Sequence, residues 1–350
     1  MRKEITKEQD FEEDETETGE SGFVRFMRRP VGKFLTSMFS TWIVLGCISL
    51  FLLYGPWDGF RTFMITSTET TINHKYISRI FFSDETIQKV MGANTVIDLE
   101  TTTNTDEVQT NIKDNNYRDN ITKVTEISKE GYKAWKLEIS DPSKVILGIS
   151  KYFGVKGQKM PYLLQNYPDA IAGVNAGGFG DAKGWGNGGV VMGLCISEGE
   201  VLNDPKTYSY NIIGFNEDNV LVLGNYKRDQ IESLNLRDAV EFTPFLIING
   251  EAAEIKGNGG WGTAPRTAIG QRKDGTVVFV IVDGRQPGYS MGVTMKQLQQ
   301  IMVDEGCYNA ANLDGGSSTV LSYNNEIINQ PSGSDADGMR FIPNAFVILE

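Results

Sequence analysis

The sequence predicts a mixed α+β fold: a strand-rich domain organised around one strand-helix-strand unit and preceded by a single transmembrane helix. Three observations carry this. Short apolar runs bounded by glycine recur from residue 134 onward, and most are too short for helices. Two segments, 158–167 and 294–305, depart from that pattern and are the helical candidates. Near the start, 21 consecutive residues from Phe34 to Tyr54 carry no charge.

In chain order, residues 1–33 hold Glu12, Glu13, Asp14, Glu15, Glu17 and Glu20 without apolar periodicity, as expected of a disordered, acidic cytoplasmic tail. Residues 34–54 form the expected transmembrane helix, since about 20 apolar residues span a bilayer core. Arg25, Arg28, Arg29 and Lys33 precede it, while Asp58 and Arg61 follow. The positive-inside rule then leaves the N-terminal side in the cytoplasm and the large C-terminal part outside, as a single-pass protein of the cell membrane. A cleaved signal peptide is the competing reading, and a 33-residue leader without a clear small-x-small site fits it less well. Residues 55–130 read as a juxtamembrane segment and linker. Ile77, Ile80, Phe81, Ile87 and Val90 suggest a short amphipathic helix, and the stretch 94–120 is rich in Thr, Asn and Asp. Residues 131–350 form the main domain and are expected to fold without the rest.

Within that domain, strands are expected at Ala134 to Ile139, Lys144 to Ile149, Ala170 to Val174, Val190 to Ile196, Val220 to Leu223, Phe245 to Ile248, Ala268 to Gly270, Val277 to Val282 and Phe346 to Leu349. Two aspartates stand where strands should stop, Asp283 in Val282-Asp283-Gly284-Arg285 and Asp314 in Asn312-Leu313-Asp314-Gly315-Gly316-Ser317-Ser318-Thr319. Between them Thr294 and Gln297 have capping-box spacing, Met295, Leu298, Ile301 and Met302 share one helical face, and Gly306 can close the helix. If the two strands are parallel neighbours, a right-handed crossover brings Asp283 and Asp314 to the same carboxyl edge, where open sheets hold ligands.

A net charge of −12 argues against nucleic acid as a partner, although a local basic pocket can persist in an acidic surface. Three cysteines exclude a disulfide framework: Cys47 lies in the apolar span, and whether Cys195 and Cys307 pair is left open by their spacing. The one histidine, His74, is far from both aspartate motifs. A Ser-His-Asp triad, a Cys-His pair and a three-histidine zinc site are thereby disfavoured, which leaves carboxylates and arginines to carry chemistry.

The chain resembles the phosphodiester glycosidase family over about residues 131–350. The resemblance rests on Asn175-Ala176-Gly177-Gly178-Phe179, Pro265-Arg266-Thr267-Ala268-Ile269-Gly270, Val282-Asp283-Gly284-Arg285 and Asn312-Leu313-Asp314-Gly315-Gly316-Ser317-Ser318, in the family's order. Ala176 stands where the family usually has glycine, and Ser317 where the last motif often has a third one. The resemblance implies a hydrolase that cleaves the glycosidic bond of a sugar-1-phosphodiester. Such cleavage expels a phosphate monoester, a good leaving group, so the site needs positive charge on the phosphate and a carboxylate near the oxocarbenium-like sugar. Arg266 and Arg285 are the candidates for the first task, and Asp283 and Asp314 for the second.

Asn175, Gly177, Gly178, Asn312, Gly315, Gly316, Ser317 and Ser318 are the candidate substrate-binding residues, the small ones through backbone amides facing an anion. The bland alternatives are an Asp-Gly turn for Asp314, a surface turn for Asp283 and Arg285, a structural ion pair for Arg266, and a glycine turn shaped by Asn175. Two glycine loops, 184–189 and 257–262, each carry a tryptophan, Trp185 and Trp261, suited either to sugar stacking or to core packing. Glu241 and Glu254 show nothing local that marks them. No cofactor is required, although a divalent cation is compatible, and no residue is assigned to a metal. The expected partners are a phosphorylated glycan or glycolipid of the cell envelope and, through residues 34–54, the lipid bilayer. Two rival readings remain: a non-catalytic phosphoglycan-binding module in exopolysaccharide biosynthesis, and a metal-dependent phosphodiesterase with Asp283 and Asp314 as ligands.

Overall fold

The computed structural model describes residues 30–70, 75–110, 122–180 and 186–350. Most of the expected tail with Arg25, Arg28 and Arg29, and also His74, Gly184 and Trp185, lies outside the described residues. The chain divides into two compact units, Met1–Arg61 and Thr62–Glu350.

The first unit contains the 25-residue helix Pro30–Tyr54. At 1.5 Å per residue it is roughly 37 Å long, enough for a bilayer core of about 30 Å. Phe34, Phe39, Trp42 and Leu50 stand exposed along it. Among the described residues it is the one helix long and apolar enough to cross a membrane, and the same properties fit a signal sequence.

The second unit is mixed α and β, rich in antiparallel strands. At its centre lies a seven-stranded sheet in the order Glu251–Ala252, Phe245–Ile248, Asn309–Asn312, Arg266–Gln271, Val277–Val282, Ala134–Ile139, Thr122–Glu126. A five-stranded sheet runs Glu326–Ile327, Leu321–Tyr323, Ala170–Asn175, Asn344–Leu349, Val145–Ile149, and another runs Leu221–Lys227, Ser209–Asn216, Leu236–Glu241, Cys195–Ser197, Glu200–Asn203. Every neighbouring pair in the seven-stranded sheet is antiparallel.

The run Val277–Val282 shows no apolar-polar alternation because both faces of the central sheet are covered. Val277, Phe279 and Ile281 join Val174, Phe215, Leu223 and Phe346 in one core, made with strands of both five-stranded sheets. Val278, Val280 and Val282 point the other way, onto Met295, Leu298, Ile301 and Met302 of the helix Met295–Asp304. Period 2 in the strand and period 3.6 in the helix thus meet at one interface. The helix starts as its sequence indicates: Thr294 Oγ1 accepts from Gln297 N–H at 3.2 Å, and Gln297 Oε1 accepts from Thr294 N–H at 2.9 Å. It is followed by Gly306 at φ 71°.

The strands Val277–Val282 and Asn309–Asn312 are parallel, but they are not neighbours. Arg266–Gln271 lies between them, antiparallel to both. The reason is local: Arg266–Gln271 forms a tight hairpin with Val277–Val282 through Asp274-Gly275, so the crossover helix must carry the chain one strand further. Asp283 and Asp314 still follow strand ends at one edge, and Arg266 begins the intervening strand there, opposite Val282.

Upstream residues also belong to this unit. Helix Asp58–Glu69 spans the boundary at Arg61, and helices Lys75–Phe81 and Asp84–Ala93 lie wholly within the second unit. Thr95–Ile97 pairs with Glu254–Lys256, and Thr103 exchanges backbone bonds with Leu223 through its N–H and its hydroxyl. Of the sequence-derived strands, Val190 to Ile196 splits into Val190–Val191 and Cys195–Ser197, while Ser209–Asn216 and Leu236–Glu241 are strands outside the expected apolar runs, because polar residues interrupt both. Cys195 and Cys307 are both free. They sit in different cores, with burial pushing each thiol up to about 12.

Candidate active site

After Asn309–Asn312 the chain leaves the central sheet and enters the sheet of Leu321–Tyr323, and Asp314 lies at the crossing. Long-range hydrogen bonds hold the first residues of the passage. Asn312 N–H donates to Pro244 O, Leu313 N–H to Thr267 O, and Asp314 N–H to Ala176 O at 3.1 Å. Asn175 Nδ2 donates to Asp314 O at 2.5 Å, while its Oδ1 accepts from Thr267 Oγ1 and Val320 N–H. Both backbone groups of Asp314 are therefore clamped by residues 175–176. Asn175 is buried, with its Oδ1 engaged by two donors and its Nδ2 on Asp314 O, which suits it to position Asp314.

Asp314 lines a cavity of about 570 Å³ together with Arg285, Arg340, Gly316, Ser318, Trp261 and Phe242. Burial raises its carboxyl to about 6, against opposing effects of the Ser318 hydroxyl, Arg340, the Gly315 N–H and Arg285. Arg285 adopts the left-handed conformation at φ 59°, uncommon for a residue with a Cβ. The preceding Gly284 allows this turn, since a Cβ there would lie 2.6 Å from Pro265 N. The Arg285 guanidinium comes to rest over Gly316, itself at φ 59°, where an added Cβ would approach it to 3.2 Å. Arg340 lies with its guanidinium carbon 4.8 Å from the centroid of Phe179. A carboxylate raised to about 6, the guanidinium groups of Arg285 and Arg340, and the aromatic rings of Phe179, Phe242 and Trp261 thus share one cavity.

The other sequence-derived candidates divide. Arg266 reaches the cavity wall but is buried, with Nε donating to Val293 O and Nη2 to Trp261 O and Gly262 O. Burial, aided by Arg285, pulls it down to about 9, which leaves it protonated at neutral pH. Its task here is to fix the loop that carries Trp261. Asp283 does not line the cavity. Its carboxylate is 1% exposed and accepts from Asn329 Nδ2 at 2.8 Å, Gln330 N–H at 2.8 Å and Tyr289 OH at 3.1 Å. Burial nevertheless raises its pKa. The pairing of Asp283 with Asp314 across one ligand, expected from their spacing, is not what the geometry offers.

Asp283 ties the 329–330 segment, which leads into the loop bearing Ser332, Ser334 and Arg340, to the end of Val277–Val282. Asp283→Ala is expected to leave the Asn329 Nδ2 and Gln330 N–H donors without this acceptor, while the exposed Tyr289 hydroxyl turns to water, and to cost about 3 kcal/mol. For a unit of this size that lowers Tm by roughly 5–10 °C. A thermal melt within 2 °C of the wild type would show that this carboxylate holds nothing together.

Asn312, Gly178, Gly315, Gly316, Ser317 and Ser318 line the cavity, and Gly177 does not. Gly177 N–H donates to Asn344 Oδ1 at 2.9 Å, and Gly178 lies so close to Phe242 that a Cβ would come within 3.0 Å of its ring. The expected amide cradle is largely spent internally. Gly316 N–H donates to Pro265 O, Ser318 N–H to Gly315 O, Thr319 N–H to Gly316 O, and Gly315 N–H to the Asp314 carboxylate. The turn Gly316–Ser318 therefore shapes Asp314 more than it offers donors to an anion. Asn312 Nδ2 donates to Thr243 O. Glu241 binds Leu194 N–H and Asn211 N–H, a structural task.

Sequence reasoning missed Arg340, Phe242, Ser332 and Ser67, all in the cavity wall. Arg340 follows a Gly, Ser and Asp-rich stretch that reads as a surface turn, and no local signal marks it. Among the described residues, no group of three or more His, Cys, Asp or Glu side chains is placed to hold a metal ion.

Comparison with known proteins agrees with this architecture. The catalytic domain of zebrafish N-acetylglucosamine-1-phosphodiester alpha-N-acetylglucosaminidase, auto-inhibited by its pro-peptide, has the same fold, with a TM-score of 0.57 and 19% identity over 71% of this chain and 88% of that one. The SPbeta prophage-derived uncharacterized protein YomE of Bacillus subtilis (strain 168) is 30% identical over 224 residues, 61% of this chain. The match spans 34% of that relative, about a third of its length. The profile of the phosphodiester glycosidase family matches residues 168–349, more than half of the chain and all four motifs around Asp314, and the chain belongs to that family.

Proposed function

We propose that the second unit hydrolyses the bond between the anomeric carbon and the phosphate oxygen of a sugar-1-phosphodiester. The observation that carries this reading is Asp314, raised to about 6 and set in one cavity with Arg285, Arg340, Trp261 and Phe242. The sugar stacks against the aromatic wall, and the arginines stabilise the charge on the departing phosphate. As the anomeric C–O bond breaks, its electron pair leaves with the phosphate monoester. Asp314, as the carboxylate, stabilises the oxocarbenium-like sugar as nucleophile or accepts a proton from the incoming water. Asn175, Arg266 and Asp283 position these groups.

Reaction in oxygen-18 water tests the bond broken. Glycosidic cleavage is expected to place the label in the free sugar and none in the phosphate. Label in the phosphate would mean attack at phosphorus and would overturn the assignment in favour of a phosphodiesterase. Tight binding without turnover would leave a phosphoglycan-binding module.

The substrate proposed is a phosphorylated glycan or glycolipid of the cell envelope, with Pro30–Tyr54 as a single anchor and the second unit outside. Arg25, Arg28, Arg29 and Lys33 before the span support this orientation. Protease added to intact cells is expected to remove an epitope at residue 350 and spare one at residue 1. The reverse pattern rejects the topology, and release of the second unit into the medium identifies a cleaved signal.

A further inference from the structure

A second cavity, of about 360 Å³, adjoins the one that holds Asp314, and Trp261 and Thr70 line both. Its remaining wall includes Met91, Asn94, Thr95, Asp98 and Thr243. The space is built in rather than left over. Asn94 Nδ2 donates to Val90 O, and Asn94 Oδ1 accepts from Asn258 N–H, fixing the start of the glycine loop. Asn258 Oδ1 accepts from Gly260 N–H. Gly260 is at φ 78°, and a Cβ there would lie 2.4 Å from Asn94 O, so the loop can approach the helix Asp84–Ala93 only because that residue is glycine. Arg266 holds the other end of the loop through Trp261 O and Gly262 O.

The lining has a definite chemistry. It contains one carboxylate, Asp98, together with threonine hydroxyls and an indole face, and neither an arginine nor a lysine. An anion is poorly served by such a wall, whereas a neutral ring bearing hydroxyl groups is well served. Arg285, Arg340 and the turn Gly316–Ser318 line only the first cavity. The two cavities therefore meet at the wall assigned to the sugar and not at the wall assigned to the phosphate.

Resting on the glycosidic reading, we propose that the second cavity is a subsite for a second, uncharged sugar, linked to the reacting one on the side away from the phosphate. The substrate is then an oligosaccharide-1-phosphodiester rather than that of a single sugar. Trp261 stands between the two sugars, and Asp98 accepts hydrogen bonds from hydroxyls of the outer one.

The test uses the full chain and four probes: the methyl phosphodiesters of glucose-1-phosphate and N-acetylglucosamine-1-phosphate, each with and without a β-1,4-linked copy of its own sugar. For at least one pair, kcat/KM is expected to be about tenfold or more higher for the disaccharide. Met91→Trp, which fills the second cavity, and Asp98→Ala, which removes its carboxylate, are expected to abolish that preference while changing kcat/KM for the single sugars less than twofold. Equal rates within both pairs in the wild type, or a preference untouched by both variants, overturns the subsite. Calorimetric titration with the two unphosphorylated disaccharides separates this from failure of the glycosidic reading. If none of the diesters is cleaved, disaccharide binding that Met91→Trp abolishes upholds the subsite, and no binding to the wild type rejects it.

Discussion

Asp314→Asn is expected to lower kcat/KM by at least about a thousandfold while raising thermal stability. A positioned acid or base contributes about 10²–10⁴ in rate, and a nucleophile that forms the covalent intermediate lies at or beyond the upper end. The stability gain follows from the same burial. The folded-state pKa of about 6 lies above the ordinary carboxylate value, so the folded protein binds the proton more tightly than the unfolded chain. Stability associated with this group is present in full below about pH 4 and is lost as pH rises through about 6. Partial exposure reduces the cost to roughly 1–3 kcal/mol at neutral pH. Asparagine removes the charge but keeps an oxygen for the Ser318 hydroxyl, so the variant is expected to melt a few degrees higher at pH 7 and level with the wild type near pH 4. In kinetics the sign is opposite. The carboxylate is the working form, so kcat/KM of the wild type is expected to fall about tenfold per unit below pH 6. A rate that instead falls above pH 6 would make Asp314 a general acid, and an Asp314→Asn enzyme with unchanged turnover would remove it from the chemistry.

Arg285→Ala and Arg340→Ala are each expected to lower kcat by about 10²–10³, the usual loss when one donor to developing negative charge is removed. The effect should appear in kcat more than in KM, because the ester phosphate carries one negative charge before cleavage and gains a second as it departs. It should also shrink when the alcohol on the far side of the phosphate is made more acidic, since a better leaving group needs less help. Lysine at either position is expected to recover only part of the loss, as it offers a point charge in place of a planar fork. A rise in KM with kcat unchanged in both alanine variants would mean that the arginines hold the ground state alone. Arg340 is the sharper of the two tests. It carries no local signal in the sequence, so only the cavity geometry assigns it this role.

The sequence by itself determined the elements whose signals are local. The long apolar helix shows in an uncharged run, the helix Met295–Asp304 in its capping box and apolar face, and the central strand in six successive apolar residues. Asp314 and Arg285 were legible for the same reason, as charged groups stranded at the ends of buried strands beside glycine. What each charged group faces was decided by tertiary structure alone. Asp283 and Asp314 occupy equivalent places in sequence, yet the loop after Ile328 folds back to place Asn329 and Gln330 on the first, while the second meets a cavity. Arg266 looks like a phosphate ligand until three carbonyls from the Trp261 loop and Val293 are found on it. Arg340 reaches the site from a stretch that reads as a surface turn, and the second cavity exists because Thr70 and residues 91–98 pack beside a loop more than 150 positions later. Periodicity reports whether a side chain is buried, because burial acts on each residue where it stands. It is silent on partners, because those are set by strand register and loop closure between segments the chain separates widely.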